Sequence, residues 1–528
     1  MRRRYARRCC SAGVYGQFTC ERLASEPGRS DDCRIHVGSN ERGTTTAHRY
    51  QSPEVGPIYI ICEVIEGNEM TEKRDRLKEI TQETAESQIQ GWQPSLPHLA
   101  RVNEAARKHC GLKFTNLLHH IDVASLERAF RRQRASASAG IDGVTVKAYR
   151  QDLESNLQAL HERIHSGNYW PRPVRRTFIP KSDGGKRPLG IPALEDKIVQ
   201  SAVAELLSAI YEVDFVDFSW GFRPKRGAHS ALEQLSWGIK ASKTNWILDV
   251  DVSKYYDTVD HGWLMRMVAH RIADRRILLL IERWLKAGVM ENGKWQVGEV
   301  GTPQGSGISP LLSNIFLHYI FDLWFRQRQR RASGQMMAIR YADDAVMGFQ
   351  YEGEARKALA DLKERFGRFG LALNEDKTRL IRFGRFAASA SWKDGLRRPQ
   401  TFNFLGFTHY CATLRNGTFT VKCKTITKRL IGKLQALRVE MKRRIHIPVQ
   451  EQQLWLCQVL RGHYGYFGVV GNHSSMEAFF KGVKLIWFKA LRRRRQKAKM
   501  TWSRFLDVLT MFPLPKPVIR QQWNHSTR

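Results

Sequence analysis

Two adjacent aspartates, Asp343 and Asp344, interrupt an otherwise apolar run, AIRYADDAVMGF, at residues 338–349. That pattern reads as two strands meeting at a tight turn, with both carboxylates at its tip. Neighbouring carboxylates repel each other, and a metal ion is the most economical way to stabilise them. A plain acidic turn is the alternative, and the apolar flanks weigh against it. A further acid comes from WILDVDVSKYYDTVDH, residues 246–261. Alternation there puts Trp246, Leu248, Val250 and Val252 on one strand face, with Ile247, Asp249 and Asp251 on the other. An acid ending a buried strand needs a cation or a donor. The segment alone leaves the choice between Asp249 and Asp251 open, while Asp257 and Asp260 read as surface or capping carboxylates. Between the two acidic segments lies GTPQGSGISPLLSNIFLHYIFDLWF, residues 301–325. Gly301, Gly305 and Gly307 make a flexible loop, with Ser309 expected as N-cap and Pro310 as the first helical residue. Leu311, Leu312, Ile315, Phe316, Tyr319, Ile320 and Leu323 follow as a helical core stripe. A glycine-rich loop before a helix suits an anion, although core packing alone explains the stripe.

The elements that must position these residues alternate between helical and strand patterns. LLHHIDVASLERAFRRQR (117–134) reads as one helix, AGIDGVT as a turn, and QDLESNLQALHERIH (151–165) as an amphipathic helix. RRTFIPKSDGGKRPLGIP (175–192) reads as a β-hairpin turning at Asp183-Gly184-Gly185 and carrying Arg175, Arg176, Lys181, Lys186 and Arg187. After the Asp-Asp turn, EARKALADLKERFGRFG is an amphipathic helix closed by Gly370, and Leu371–Leu373 are expected to restart a strand that turns at NEDKT. A strand Asp, a glycine-rich helix start and an acidic hairpin in that order suit one α+β domain.

Composition points to a polyanionic partner. The 528 residues carry 86 Lys plus Arg against 51 Asp plus Glu, a net charge of +35. The excess runs through aromatic-rich sequence rather than one tail, which favours nucleic acid over a solvated basic face. Of the nine cysteines, Cys9, Cys10, Cys20, Cys33 and Cys62 precede residue 70. Cys110, Cys411, Cys423 and Cys457 are isolated, so no paired-cysteine zinc ribbon or HNH-type nuclease is visible. This usage suits a reducing compartment, and a bacterial cytoplasm is expected. No apolar run approaches a membrane span, and MRRRYARR lacks the apolar core of a secretory signal. An Arg-rich opening leaves an organellar presequence as the lesser alternative. Residues 1–69 lack any sustained period, whereas Met70 opens a helix-compatible stretch. The expectation is that Met70 is the true start or that 1–69 are disordered.

Several segments together resemble the reverse transcriptases encoded by group II introns, which also act as maturases. They are the 175–192 hairpin, SWGFRPKRGAHSAL (219–232), DVDVSKYYDTVDH, GTPQGSGISPLLSNIFLHY, RYADD, LNEDKTRLIRF and FNFLGF (402–407). The likeness runs from about residue 115 to 410 with highly specific motifs. It continues diffusely to about 515 through LRGHYGYFGVVGN, resembling a thumb and RNA-splicing domain. It implies a right-hand α+β polymerase: an N-terminal extension and the start of the fingers over 70–160, fingers and an antiparallel-sheet palm over 161–410, a helical thumb/maturase domain over 420–515, and a basic tail over 516–528.

The resemblance also implies roles. Asp251 rather than Asp249 becomes the first metal ligand, with Val252 beside it; Asp343 is the second ligand and Asp344 supports the primer end. Two Mg²⁺ ions, roughly 3.5–4 Å apart, would activate the primer hydroxyl and clamp the triphosphate. Tyr256 would gate against a 2′-hydroxyl, Gln304 and Gly305 would position nucleotide and template, Lys181 and Arg187 would grip the triphosphate, and Lys377 would protonate pyrophosphate. Arg223, Lys225, Arg226 and Arg492, Arg493, Arg494 and Arg495 are expected to bind RNA. Implied partners are the intron RNA as template, a DNA or RNA primer, deoxynucleoside triphosphates and a DNA target site, with no membrane. No HNH endonuclease is visible beyond residue 515. Competing readings are a retron-type, diversity-generating or CRISPR-associated reverse transcriptase, and a splicing cofactor with an inactive palm. The basic helical extension speaks against the first two, and the intact acids against the last.

Overall fold

The computed structural model describes residues 96–521, except 181–184, 292–293, 297–300, 302–304, 394, 396 and 495–499. The chain divides into units Met1–Thr71 and Glu72–Arg528. The first unit, with the expectation about 1–69 and Met70, lies outside the described residues, as do Lys181, Gln304 and Arg495.

The basic hairpin forms as expected: β1 (Val174–Pro180) pairs antiparallel with β2 (Lys186–Ile191). Next in the chain comes β3 (Trp246–Val250), then β4 (Val289–Glu291) and β5 (Lys294–Gln296), which extend the hairpin into a sheet ordered β2-β1-β4-β5. β6 (Met336–Tyr341), β7 (Asp344–Phe349) and β8 (Arg379–Arg382) join β3 in a four-stranded antiparallel sheet ordered β6-β7-β3-β8. A third sheet holds β9 (Phe402–Phe404), β10 (Phe407–Thr413) and β11 (Phe419–Thr425).

The alternation read along 246–252 is what splits the core in two. Leu248 and Val250, with Met347 of β7, enter a large core built mainly on the helices Leu194–Asp214 and Ser309–Leu317. Ile247, Ile339, Val346 and Ile381 face the other way, onto the helix Ala228–Ala241 and the β9–β11 sheet. A third core gathers the C-terminal helices Thr427–Arg443, Val449–Phe467, His473–Arg493 and Trp502–Met511 around Trp487. Trp487 is fully buried, and its indole Nε1 donates to Gln452 Oε1 at 2.9 Å. Among the described residues no helix is long and apolar enough to cross a membrane.

Three local expectations need correction. The single helix over 117–134 is broken into a turn at Leu118–His120 and a helix at Val123–Arg131. The break falls at Asp122, whose backbone is extended (φ −89°, ψ 171°) and whose side chain caps the second helix by accepting from Ser125 N. Asp274 holds the preceding turn by accepting from Leu117 N and Leu118 N at 2.7 and 3.0 Å. The helix after the glycine loop starts with Ser309 inside it and Ile308 as the cap position. It is also buried all round, continuing through a π turn, His318–Asp322, instead of showing one apolar stripe. Leu371–Leu373 form no strand. Because β3 ends at Val250, they meet a neighbour only in the isolated bridge Val252↔Leu373, and the returning strand is β8.

Candidate active site

β6 and β7 are joined by Ala342-Asp343, with Tyr341 paired to Asp344, so both acids stand at the hairpin tip. The turn is bought with strain: Ala342 takes φ +56° although it has a Cβ. On the next strand Val250 pairs with Ala345, which carries the chain at Asp251 toward the level of Asp344. Asp251 is fixed by its backbone. Its carbonyl accepts from Asn374 N at 2.8 Å, and its N–H donates to Thr378 Oγ1 at 3.3 Å.

The three carboxylates lie close enough to disturb one another. Burial first, then the charge of Asp251, raises Asp343 above the usual carboxylate range, with Arg187 and Arg340 opposing. Asp344 is reached by water but crowded by protein on most sides. Desolvation, then Asp343, Asp251 and Asp249, push it up to about 7. Among the described residues, no three His, Cys, Asp or Glu side chains converge into a ready-made metal cage. A hard cation such as Mg²⁺ needs no such cage, because it is ordinarily held by one or two carboxylates and completed by substrate phosphates and water. Carboxylates that burial and mutual repulsion leave short of a counter-charge supply the oxygen donors of that set.

The repulsion has a measurable sign. A carboxyl raised in the fold favours its protonated form there, so its contribution to stability is present below the unfolded value near ~4 and is lost as pH rises through about 7. In EDTA, melting temperature should therefore fall between pH 5 and 8. Asp344→Asn should remove part of that fall and melt higher than wild type at pH 8. Equal melting temperatures at pH 8 would mean the tip acids do not strain the fold.

Asp249 of β3 and Asp251 just past its end have separate surroundings. Asp249 sits opposite Arg379, 3.6 Å from its Nη2, and burial raises it to about 6. Asp251 lies beyond the strand end, where Lys377 Nζ donates to its Oδ2 at 3.3 Å. Val252 is buried in the core, and the hydrogen bonds of its bridge are made by its neighbours Asp251 and Ser253. Tyr256 is half-buried, edge-on to Tyr255 at 5.2 Å, and Tyr255 Oη is anchored on Ser313 O. Burial and then Asp343 push Tyr256 up to about 12. Arg187, exposed on β2, acts electrostatically on both Asp343 and Tyr256. Gly305 explains its residue type: φ is +110°, and a Cβ would come within 2.4 Å of Gly190 O on β2. The structure thus brings Asp251, Asp343, Asp344, Lys377, Arg187 and Tyr256 into one neighbourhood and seats the Gly305 loop against the hairpin.

The expected RNA-binding residues divide differently. Arg223 is turned inward. Its side chain is 1% exposed, bonded to Glu212 at 3.0 Å and to the carbonyls of Val216 and Ser219. It is therefore no RNA ligand, since a guanidinium with that many partners has been spent on the fold. Arg226 donates to Asp217 O and Ser219 O and stacks on Trp220. Lys225 is exposed, as are Arg492 and Arg493, while Arg494 donates to His446 O. LRGHYGYFGVVGN forms a junction rather than a surface. Asn472 is fully buried and clamps Thr425 and Phe467, and Tyr466 Oη donates to Leu405 O. Sequence reasoning also passed over Arg340, Asp322 and Asn314, which are buried behind the hairpin. An arginine inside the apolar run AIRYA was the available signal.

The sheet thus displays paired acids at a hairpin tip with a third acid just past the end of β3, and comparison with known proteins gives the class to which such a chain belongs. Residues 179–409 match the family described as "Reverse transcriptase (RNA-dependent DNA polymerase)". Protein YkfC of Escherichia coli K12 is 35% identical over 291 residues, covering 49% of this chain and 76% of YkfC. The group II intron-encoded protein LtrA of Lactococcus lactis is 32% identical over 256 residues, 47% of this chain but only 42% of LtrA. A 91 kDa protein in the cob intron of Schizosaccharomyces pombe is 40% identical over 180 residues, 34% of this chain and 21% of that protein. The chain belongs to the reverse transcriptase family, among the group II intron reverse transcriptase/maturases.

Proposed function

We propose that the protein is an RNA-directed DNA polymerase that extends a primer on RNA with two Mg²⁺ ions and binds its own intron RNA to assist splicing and mobility. The observation that carries the polymerase reading is the placement of Asp343 and Asp344 at a hairpin tip with Asp251 just past the end of the neighbouring strand, near enough for its charge to act on both. In this reading the hairpin sheet is the palm, the β1–β2 hairpin belongs to the fingers, and the C-terminal helices form the thumb and maturase domain.

Asp251 and Asp343, with main-chain atoms near Val252, would hold the metal ions, and Asp344 would steady the primer end. Bound Mg²⁺ would lower the pKa of the primer hydroxyl and neutralise charge on the triphosphate. The chain itself contributes positioning and charge. Arg187 would pair with triphosphate oxygens, and the Gly305 loop would admit nucleotide and template close to its backbone. Lys377, already beside Asp251, would hold the proton that the departing pyrophosphate takes. Intron binding is supported by the similarity to the group II intron-encoded protein LtrA and by the net charge of +35.

Primer extension on an annealed RNA template, with deoxynucleotides and ribonucleotides in separate reactions, tests the polymerase reading. Wild type should extend with deoxynucleotides and discriminate against ribonucleotides. Removing the ring in Tyr256→Ala should erode that discrimination by roughly 10–100-fold, the scale of filling or emptying a small pocket. No extension by wild type would refute the reading, and unchanged discrimination would refute the gate.

A further inference from the structure

We propose that Arg340 is a positioning residue for the reaction: its guanidinium, buried behind the hairpin and locked by Asp322, clamps the carbonyl of Ala342 and so sets the peptide plane that leads into Asp343. The inference rests on the polymerase reading of the site.

Arg340 is two residues before the turn on β6 and is 1% exposed. Each of its five N–H donors has a partner. Nε and Nη2 grip the two oxygens of Asp322 at 2.7 and 2.6 Å. The second Nη2 proton goes to Ser219 Oγ at 2.7 Å. Nη1 divides between Asn314 Oδ1 and Ala342 O, each at 3.0 Å. Asp322 is fully buried at the end of the π turn, and the guanidinium holds its carboxyl below the usual range despite burial. A buried ion pair often adds little net stability against an apolar substitute. Its value here lies in where the remaining donors point.

The clamped carbonyl belongs to the peptide bond between Ala342 and Asp343. Ala342 is held at φ +56°, a conformation costly for a residue with a Cβ. The far side of the turn is closed by the 218–221 segment. Trp220 N donates to Arg340 O at 2.8 Å, and a Cβ on Gly221 would lie 2.4 Å from Ala342 N. Asn314 ties this wall to the same network by donating Nδ2 to Gly221 O at 2.7 Å. The strained turn is therefore gripped from behind by Arg340 and propped in front by Gly221. Without the grip, relaxation of Ala342 toward negative φ would swing the Asp343 carboxylate away from Asp251.

The test measures kcat, KM for deoxynucleotide, half-saturating Mg²⁺, Mn²⁺ binding by electron paramagnetic resonance, and melting temperature on one set of preparations. Arg340→Lys keeps the charge against Asp322 but lacks the fork that reaches Ala342 O. It should lose kcat by about 10–100-fold with KM within about twofold, while Mg²⁺ half-saturation rises and Mn²⁺ binds more weakly. Adding Ala342→Gly, which adopts positive φ without penalty, should restore part of both losses. Should Arg340→Lys not fold, Asn314→Ser weakens the grip and the prop together without burying an unpaired charge, and it should show the same split in milder form. Normal kcat and metal binding in a folded variant would overturn the proposal. So would losses that follow melting temperature and that Ala342→Gly does not relieve, because Arg340 would then be a core ion pair only. Wild type and Asp343→Asn run alongside: no extension by wild type means that the polymerase reading has failed, and extension by Asp343→Asn means that the assignment of Asp343 has failed, each distinct from a failure of the clamp.

Discussion

Replacing Asp343 and Asp344 together by alanine is expected to abolish cDNA synthesis while leaving RNA affinity near normal or slightly raised. Metal binding depends on a few oxygens at one hairpin tip. RNA binding depends on charge spread over a wide surface, and deleting two negative charges from a chain at +35 cannot weaken its attraction to phosphate. The variant should also fold well, because it removes two carboxyls that burial and mutual repulsion hold above their ordinary range. The converse variant neutralises Arg492 and Arg493, both exposed at the end of the His473–Arg493 helix. It should weaken intron binding and assisted splicing while extension of an annealed primer survives. The 461–472 segment is the wrong place for such a variant, since Asn472 and Tyr466 join the C-terminal helices to the β9–β11 region. Primer extension and splicing are measured on the same preparations. If the folded double Asp variant loses splicing as completely as polymerisation, the separation of the two surfaces is wrong.

RNA affinity should collapse as salt rises. Each phosphate neutralised releases counterions, so with about six contacts to single-stranded RNA the slope of log K against log salt is about −4, a loss of roughly 300-fold between ~50 and ~200 mM. Nitrocellulose or fluorescence titrations across that range check it. A flat response would mean that the charge of +35 serves something other than phosphate contact. Arg223→Gln should leave the slope unchanged, because that guanidinium is bonded to Glu212 and to main-chain carbonyls inside the protein. Lys225→Gln, at an exposed position, should lower it by about 0.7 if the residue meets a phosphate.

Local pattern determined much of this protein. Alternation along 246–252 specified one strand and the face each of its side chains takes, and the apolar runs flanking Asp343-Asp344 specified two more, because strand periodicity is a property of the backbone itself. The 175–192 hairpin and the helices over 151–165 and 354–370 were legible for the same reason, each carrying its own period and stop signal. Local pattern failed where a period ran on past the point at which the backbone stopped. Asp122 turned extended and capped a new helix inside a continuous helical period, and the end of β3 deprived Leu371–Leu373 of a strand to pair with. Charge was the least legible property. Arg223 reads as a cation available to RNA, and Arg340 passes unnoticed within its apolar run, yet the fold surrounds both with acceptors, and Asp249 differs from Asp251 chiefly because Arg379 faces it. An arginine's letter records its charge, but whether that charge meets water, phosphate or a buried carboxylate depends on partners up to 121 residues away, as Ser219 is from Arg340. Only the tertiary structure could decide that.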